Sequence, residues 1–125
     1  MKVVMVIDDL VATVELLKHY LIKAGIEVLD VLNAEAALDM LEHQTPDIII
    51  CDINMPGMGG IGFIKKVREM HKLRNTPIVA ITVLALERDR QRALAAGFSG
   101  YITKPVNPAT IVADLRAFMP LPDEL

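Results

Sequence analysis

Asp47-Ile48-Ile49-Ile50-Cys51-Asp52 is a run of four apolar residues with an aspartate at each end. No polar residue alternates with the apolar ones, so the run reads as a strand covered on both faces, as in a parallel sheet. Working outward, four further short runs have the same character. Val3 to Ile7 is β-branched-rich and leads into Asp8-Asp9, Glu27 to Val31 is weaker, and Pro77 to Thr82 and Gly100 to Thr103 complete the set. Five segments of helical spacing lie between and after them. Leu10 to Ala24 closes on Gly25, Ala34 to about His43 opens with Asn33 as its cap, and Gly60 to about His71 carries Ile61, Ile64, Val67 and Met70 on one face. Glu87 to Ala96 closes on Gly97, and Asn107-Pro108 opens a last helix that aligns Ile111, Val112, Leu115 and Phe118 and stops before Pro120. Strand and helix alternating five times predict a doubly wound α/β fold with a five-stranded parallel sheet in the order 2-1-3-4-5, a flavodoxin-like (βα)5 arrangement.

The composition sets the outer limits. The chain has 125 residues, 53% apolar and 23% charged, with a net charge of −3. That is enough for one core and too little for two ordinary domains, and a mean hydropathy of +0.41 excludes a disordered chain. The reading is a single domain over 1–120 followed by a short frayed tail, 121–125. The lone Cys51 cannot close an internal disulfide and points to a reducing, cytoplasmic setting. The opening MKVVMVIDD is neither a secretion signal nor a membrane span, so membrane insertion is not expected. A pI near 5.5 argues against direct nucleic-acid binding.

In a doubly wound sheet the functional crevice lies beyond the carboxyl ends of the strands, at the switch point between strands 1 and 3. Here strand 1 ends in Asp8-Asp9, strand 3 in Asp52, strand 4 in Thr82 and strand 5 in Lys104, whereas strand 2 delivers only Leu32 and Asn33. Three carboxylates in one crevice repel one another and call for a cation. Oxygen-only ligands suit Mg²⁺, Lys104 supplies a compact positive charge, and Thr82 a hydroxyl donor. That set is chemically a phosphoryl-transfer site with an aspartate as acceptor.

With those residues in place, the chain resembles the receiver domains of two-component response regulators from Lys2 to about Met119. The resemblance rests on Asp8-Asp9, on Asp52-Ile-Asn-Met-Pro-Gly-Met, on Thr82 and on Lys104-Pro105, taken in order. It implies that Asp52 accepts a phosphoryl group from the phosphohistidine of a histidine kinase or histidine phosphotransfer protein. It implies Mg²⁺ held by Asp9, Asp52 and the backbone carbonyl of Asn54, with Asp8 acting largely through water. Thr82 and Lys104 would bind phosphoryl oxygens, and Tyr101 would turn inward with Thr82 as a switch. Pro105 would follow a cis bond that aims Lys104 inward, and a downstream protein would read the face made by helix 4, strand 5 and helix 5. The chain itself would catalyse only its own phosphorylation and dephosphorylation.

Three positions depart from the usual pattern: Leu10 after the acidic pair, Gly59 where Asp or Asn is common, and Val83 where a small residue follows Thr82. Val83 is β-branched and stiff, and would narrow the entrance to the site. Leu10, Val11 and Val14 begin helix 1 while Leu16, Leu17, Tyr20 and Leu21 supply its inward face. Leu10 and Val14 are therefore expected to stay partly exposed and, with Val11, to pack against the histidine-bearing helix of a phosphodonor.

Other matches carry less. Gly57-Met-Gly59-Gly-Ile-Gly62 satisfies a dinucleotide fingerprint but follows strand 3 and has no acidic partner, so its glycines read as turn glycines. Asp52-x-Asn54 with Gly57 imitates a calcium loop, yet Phe63 stands where that loop needs Glu. His19, His43 and His71 read as surface residues, and Cys51 as a small hydrophobe inside strand 3. A stand-alone regulator fits a chain ending soon after its last helix, and a receiver excised from a larger regulator or hybrid kinase is the alternative. An aspartate-nucleophile phosphatase would need its nucleophile after strand 1 and an acid at Asn54. A flavin carrier would need a phosphate-binding loop where Leu10-Val-Ala-Thr stands.

Overall fold

The structure is a computed structural model and describes residues 2–83 and 86–118. The element order is β1 (Val3–Ile7), α1 (Val11–Lys23), β2 (Glu27–Val31), α2 (Ala34–Leu41), β3 (Ile48–Asp52), α3 (Gly59–Glu69), a 3-10 turn (His71–Leu73), β4 (Ile78–Thr82), α4 (Glu87–Ala96), β5 (Gly100–Thr103) and α5 (Ile111–Arg116). The strands form one sheet in the order β2-β1-β3-β4-β5, and every pairing is parallel. This is the expected doubly wound fold.

The uninterrupted apolar runs are explained by what covers them. All five residues of β3 and of β4 are buried, whereas at the edge strand β2 only Val31 is. Side chains of successive strand residues point to opposite faces, which splits the core into two layers. Met5, Ile7, Ile49 and Cys51 pack with Phe63, Ile64 and Val67 of α3, with Ala37 and Leu41 of α2 and with Ala93 of α4. Val4, Val6, Ile48 and Ile50 pack with Val14, Leu17 and Leu21 of α1 and with Ile111 and Leu115 of α5.

Helix ends follow local chemistry with small shifts from expectation. The Asn33 side chain accepts the Ala36 N–H at 2.7 Å, so it caps α2 as its type suggests. Leu10 is extended and α1 begins one residue later, at Val11. Glu69 ends α3, and His71, expected within it, opens the 3-10 turn instead. Asn107 does cap, but what it caps is a turn: its side chain accepts from Ala109 N–H at 2.9 Å and its carbonyl from Ile111 N–H at 3.0 Å. Continuous helix starts only at Ile111, three residues after Pro108. The expected stop before Pro120 and the tail 121–125 lie outside the described residues. His19, His43 and His71 are exposed and Cys51 is fully buried. Among the described residues no helix is long and apolar enough to cross a membrane.

Candidate functional site

Because all strands run the same way, their carboxyl ends share one edge of the sheet. β1 hands Asp8 and Asp9 to that edge, β3 ends on Asp52, β4 ends on Thr82, and Lys104 follows β5. Neighbouring strands hold these residues in place through the backbone. Asp8 N–H donates to Val31 O at 3.3 Å, Ile53 N–H to Ile81 O at 3.2 Å, and Lys104 N–H to Thr82 O at 2.7 Å.

Side chains complete the arrangement. The Lys104 ammonium lies 2.9 Å from Asp8 Oδ2 and 3.4 Å from Asp52 Oδ2, bridging two carboxylates that are almost wholly buried. The other Asp8 oxygen accepts from Leu10 N–H at 2.9 Å, and the other Asp52 oxygen from Asn54 N–H at 3.2 Å. Asp9 is exposed at the rim. Carboxylate oxygens of Asp8, Asp9 and Asp52 come within 4.8 Å of one another. One lysine cannot balance three acids, and a donor set of oxygens alone fits a hard divalent cation.

The electrostatics carry the same tension. Burial, and next the charge of Asp8, push the Asp52 carboxyl above its ordinary range, opposed by Lys104 and by the Asn54 N–H. Burial by itself would depress the Lys104 ammonium, but the adjoining carboxylates outweigh it and hold the group above its usual value.

The remaining expected residues fall as follows. The Lys104-Pro105 bond is cis. Tyr101 lies two residues before the end of β5, half-buried against the layer under α2–α4, in register with Ala80, while Thr82 is in register with Thr103. Burial and the charge of Asp89 on α4 raise its hydroxyl. Leu10 and Val11 are 54% and 57% exposed, but Val14 is only 2% exposed. The expectation that Val14 stays open is therefore corrected. Residues 14, 17 and 21 share one helical stripe, and that stripe packs on Val4, Val6, Ile48 and Ile50. Leu16 and Tyr20, expected at the centre of that face, lie half-buried on its flank.

Two features escaped the sequence reading. The Asn54 side-chain amide reaches Thr82 Oγ1 at 3.5 Å, so Asn54 touches two strand ends and is more than a backbone carbonyl. The D-x-N spacing was the available signal. Six large apolar side chains are exposed among the described residues. Five of them lie just beyond the ends of β1, β2 and β4: Leu32 and Leu86, which the sequence did not single out, join Leu10, Val11 and Val83, which it did. Val83 also lines a groove of about 360 Å³ with Ala12, Thr13, Leu16, Lys104, Pro105 and Val106.

A doubly wound domain with an acidic, lysine-bridged crevice at its strand ends has the architecture of a signalling receiver. Residues 4–116 match the response regulator receiver domain, and the chain belongs to that family. It is 40% identical over 109 residues to an uncharacterized 14.6 kDa protein of Leptolyngbya boryana, covering 87% of this chain and 83% of that one. Among solved structures, the chemotaxis response regulator CheY4 of Vibrio cholerae is 33% identical with a TM-score of 0.91, covering 95% of this chain and 99% of that one. The receiver domain of sensor histidine kinase PA1611 from Pseudomonas aeruginosa, with a magnesium ion coordinated in its active-site cleft, is 26% identical with a TM-score of 0.85. That match covers 94% of this chain and 96% of that one. Of other, longer curated relatives the chain spans 13% to 51% of the length.

Proposed function

We propose that this receiver accepts a phosphoryl group on Asp52 from the phosphohistidine of a histidine kinase or histidine phosphotransfer protein. The observation that carries the reading is the meeting of Asp8, Asp9 and Asp52 within 4.8 Å, with Lys104 bridging the two buried acids. An Asp52 oxygen attacks phosphorus, the P–O bond forms as the P–N bond breaks, and the imidazole leaves with a proton. Lys104, already at hydrogen-bond range of Asp52, balances the charge that develops on the phosphoryl oxygens, and the Thr82 hydroxyl donates to one of them. Asp8, Asp9, Asp52 and the Asn54 carbonyl would hold Mg²⁺, which when bound neutralises carboxylates and phosphoryl oxygens together.

Movement of Thr82 toward the phosphoryl group pulls on Asn54 and lets Tyr101 turn inward, altering the face of α4, β5 and α5 that a downstream protein reads. The collar of Leu10 and Val11, with Leu32, Val83 and Leu86, suits the apolar side of a phosphodonor helix. Val14 no longer belongs to it. We assign residues 1–120 to the receiver and 121–125 to a tail, working in the reducing cytoplasm that the lone thiol suits. A receiver that forms part of a larger regulator or hybrid kinase is the second reading, favoured by relatives of two to four times this length.

Incubation with a small phosphodonor and Mg²⁺ should place a base-labile phosphate on the protein, and Asp52→Asn should abolish it. Retention of that phosphate in the variant overturns the assignment. Val83→Ala should raise the rate with acetyl phosphate several-fold, because the stiff Val83 side chain stands on the wall of the groove that contains Lys104. Transfer from a docked phosphohistidine should change little, since docking positions the donor. Equal small-donor rates in parent and variant would make Val83 a bystander.

A further inference from the structure

Arg68, in the last turn of α3, is surrounded by backbone carbonyls at the end of the sheet opposite the acidic crevice. Its Nε donates to Gly97 O at 3.1 Å. One terminal nitrogen lies 3.0 Å from Leu73 O, 2.8 Å from Thr76 O and 3.4 Å from Arg74 O. The other donates to Ser99 Oγ at 3.3 Å, and that hydroxyl oxygen accepts the Ile78 N–H at 3.0 Å. Ser99 N–H closes the ring by donating to Ile78 O at 2.7 Å. A planar guanidinium with five fixed donors is suited to such a task, and a lysine is not. One side chain thus gathers the end of α3, the 3-10 turn, the entries of β4 and β5, and the cap of α4.

The grip on α4 is one-sided. Gly97 caps it at φ +121°, and a Cβ at that position would come within 3.2 Å of Arg68 Cγ, so the cap is shaped around the arginine stem. Among the described residues the opposite end shows no comparable anchor. Leu86 offers no side-chain cap, Leu86, Glu87 and Arg88 are exposed, and Ala93 is the only buried residue of the helix. The Glu87–Arg90 ion pair, 2.7 Å, lies within the helix and ties it to nothing else. A segment with so little buried apolar surface owes its local stability to whichever end is held.

We propose that Arg68 is a positioning residue that clamps the Gly97 end of α4, making the helix a lever whose Leu86 end, nearest Thr82, is the end that moves. The lever's role in signalling rests on the phosphoacceptor reading above; the clamp itself does not. Two properties follow. Local opening of α4 runs from its Leu86 end toward Gly97, and a signal entering at Thr82 swings one end of the helix while the other stays on the sheet.

Amide hydrogen exchange on the parent and on Arg68→Met, each alone and with Mg²⁺ and beryllofluoride, tests both. In the unliganded parent, residues 94–99 should exchange at least about tenfold more slowly than 86–91. In Arg68→Met that difference should collapse, with β1 and β3 still protected. Within α4, beryllofluoride should alter exchange over 86–91 alone in the parent and over the whole helix in the variant. Unchanged protection of 94–99 in a folded Arg68→Met, or a response in the parent as large near Gly97 as near Leu86, would overturn the proposal. Should Arg68→Met fail to fold, Ser99→Ala removes one partner of the ring and must shift the same segment in the same direction. If beryllofluoride leaves the parent unchanged everywhere, including around Asp52, the phosphoacceptor reading fails, and the unliganded comparison still decides the clamp.

Discussion

Lys104→Met should lower the melting temperature of the metal-free domain by roughly 12 °C near neutral pH, the shift that about 3 kcal/mol produces in a domain of this size. The side chain is only 9% exposed and holds both Asp8 and Asp52, so its loss leaves two buried carboxylates facing each other without a cation. Breaking a buried pair by removing one partner is far costlier than replacing the whole pair, because the orphaned charge stays desolvated. The sign with pH follows from the two shifts. Asp52 is raised above its ordinary value, so it favours the fold most when protonated, and that contribution is lost as pH rises through its folded value. Lys104 is also raised, and its contribution therefore persists through neutrality and is lost only in strong base. Without Lys104 the carboxylate repulsion is uncompensated, so the variant's deficit should shrink as pH is lowered from about 8 to about 5. Millimolar Mg²⁺ should shrink it as well. Thermal melts at both pH values, with and without Mg²⁺, measure this, and a deficit blind to both would reduce Lys104 to a packing residue.

Gly60→Ala should cost about 3 kcal/mol even though alanine is the better helix former by about 1 kcal/mol. A Cβ at Gly60 would lie 2.6 Å from Ile53 Cα and 2.7 Å from Asp52 O. Both are backbone atoms and cannot swing aside, so α3 must retreat or the exit of β3 must move. Either change disturbs the chain at Ile53, between Asp52 and Asn54, and should also weaken Mg²⁺ binding measured by calorimetry. Gly62→Ala is the control: its Cβ would meet Met58 Cγ at 2.6 Å, and that flexible side chain can turn away. Urea unfolding should separate the two variants clearly, and similar midpoints would show that α3 tolerates the shift.

The contrast between those glycines marks where sequence reasoning ran out. The sheet was legible because buried parallel strands write themselves as uninterrupted apolar runs, and the crevice because parallel strands put their carboxyl ends on one edge. Asp8, Asp9, Asp52, Thr82 and Lys104 needed no side-chain detail to be gathered. Val14 was misjudged because the helix offers enough leucines to fill a face twice, and only the packing shows that residues 14, 17 and 21 form the stripe. The start of α5 was misplaced because Asn107 caps a turn with the same bonds that would open a helix. Arg68 left no trace at all: four of its five partners are backbone carbonyls, and main-chain oxygens carry no residue identity. The Asn54–Thr82 contact was hidden for a related reason, since 28 residues separate the two along the chain.

Cys51 lies fully buried in the middle of the sheet, its Sγ–H donating to Asp52 O at 3.4 Å. Burial, and then the charges of Asp52 and Asp8, push its thiol far up, so the reactive thiolate is suppressed in the folded chain. The protein has no tryptophan and no other cysteine, which makes this thiol a built-in clock for opening. An alkylating reagent can mark a molecule only while β3 is unpaired, each marked molecule gains one adduct, and the labelling rate in mass spectra counts unfolding events directly. Any ligand that steadies the acidic crevice next door slows that clock, so binding to Asp8, Asp9 and Asp52 can be timed from inside the core without an optical probe.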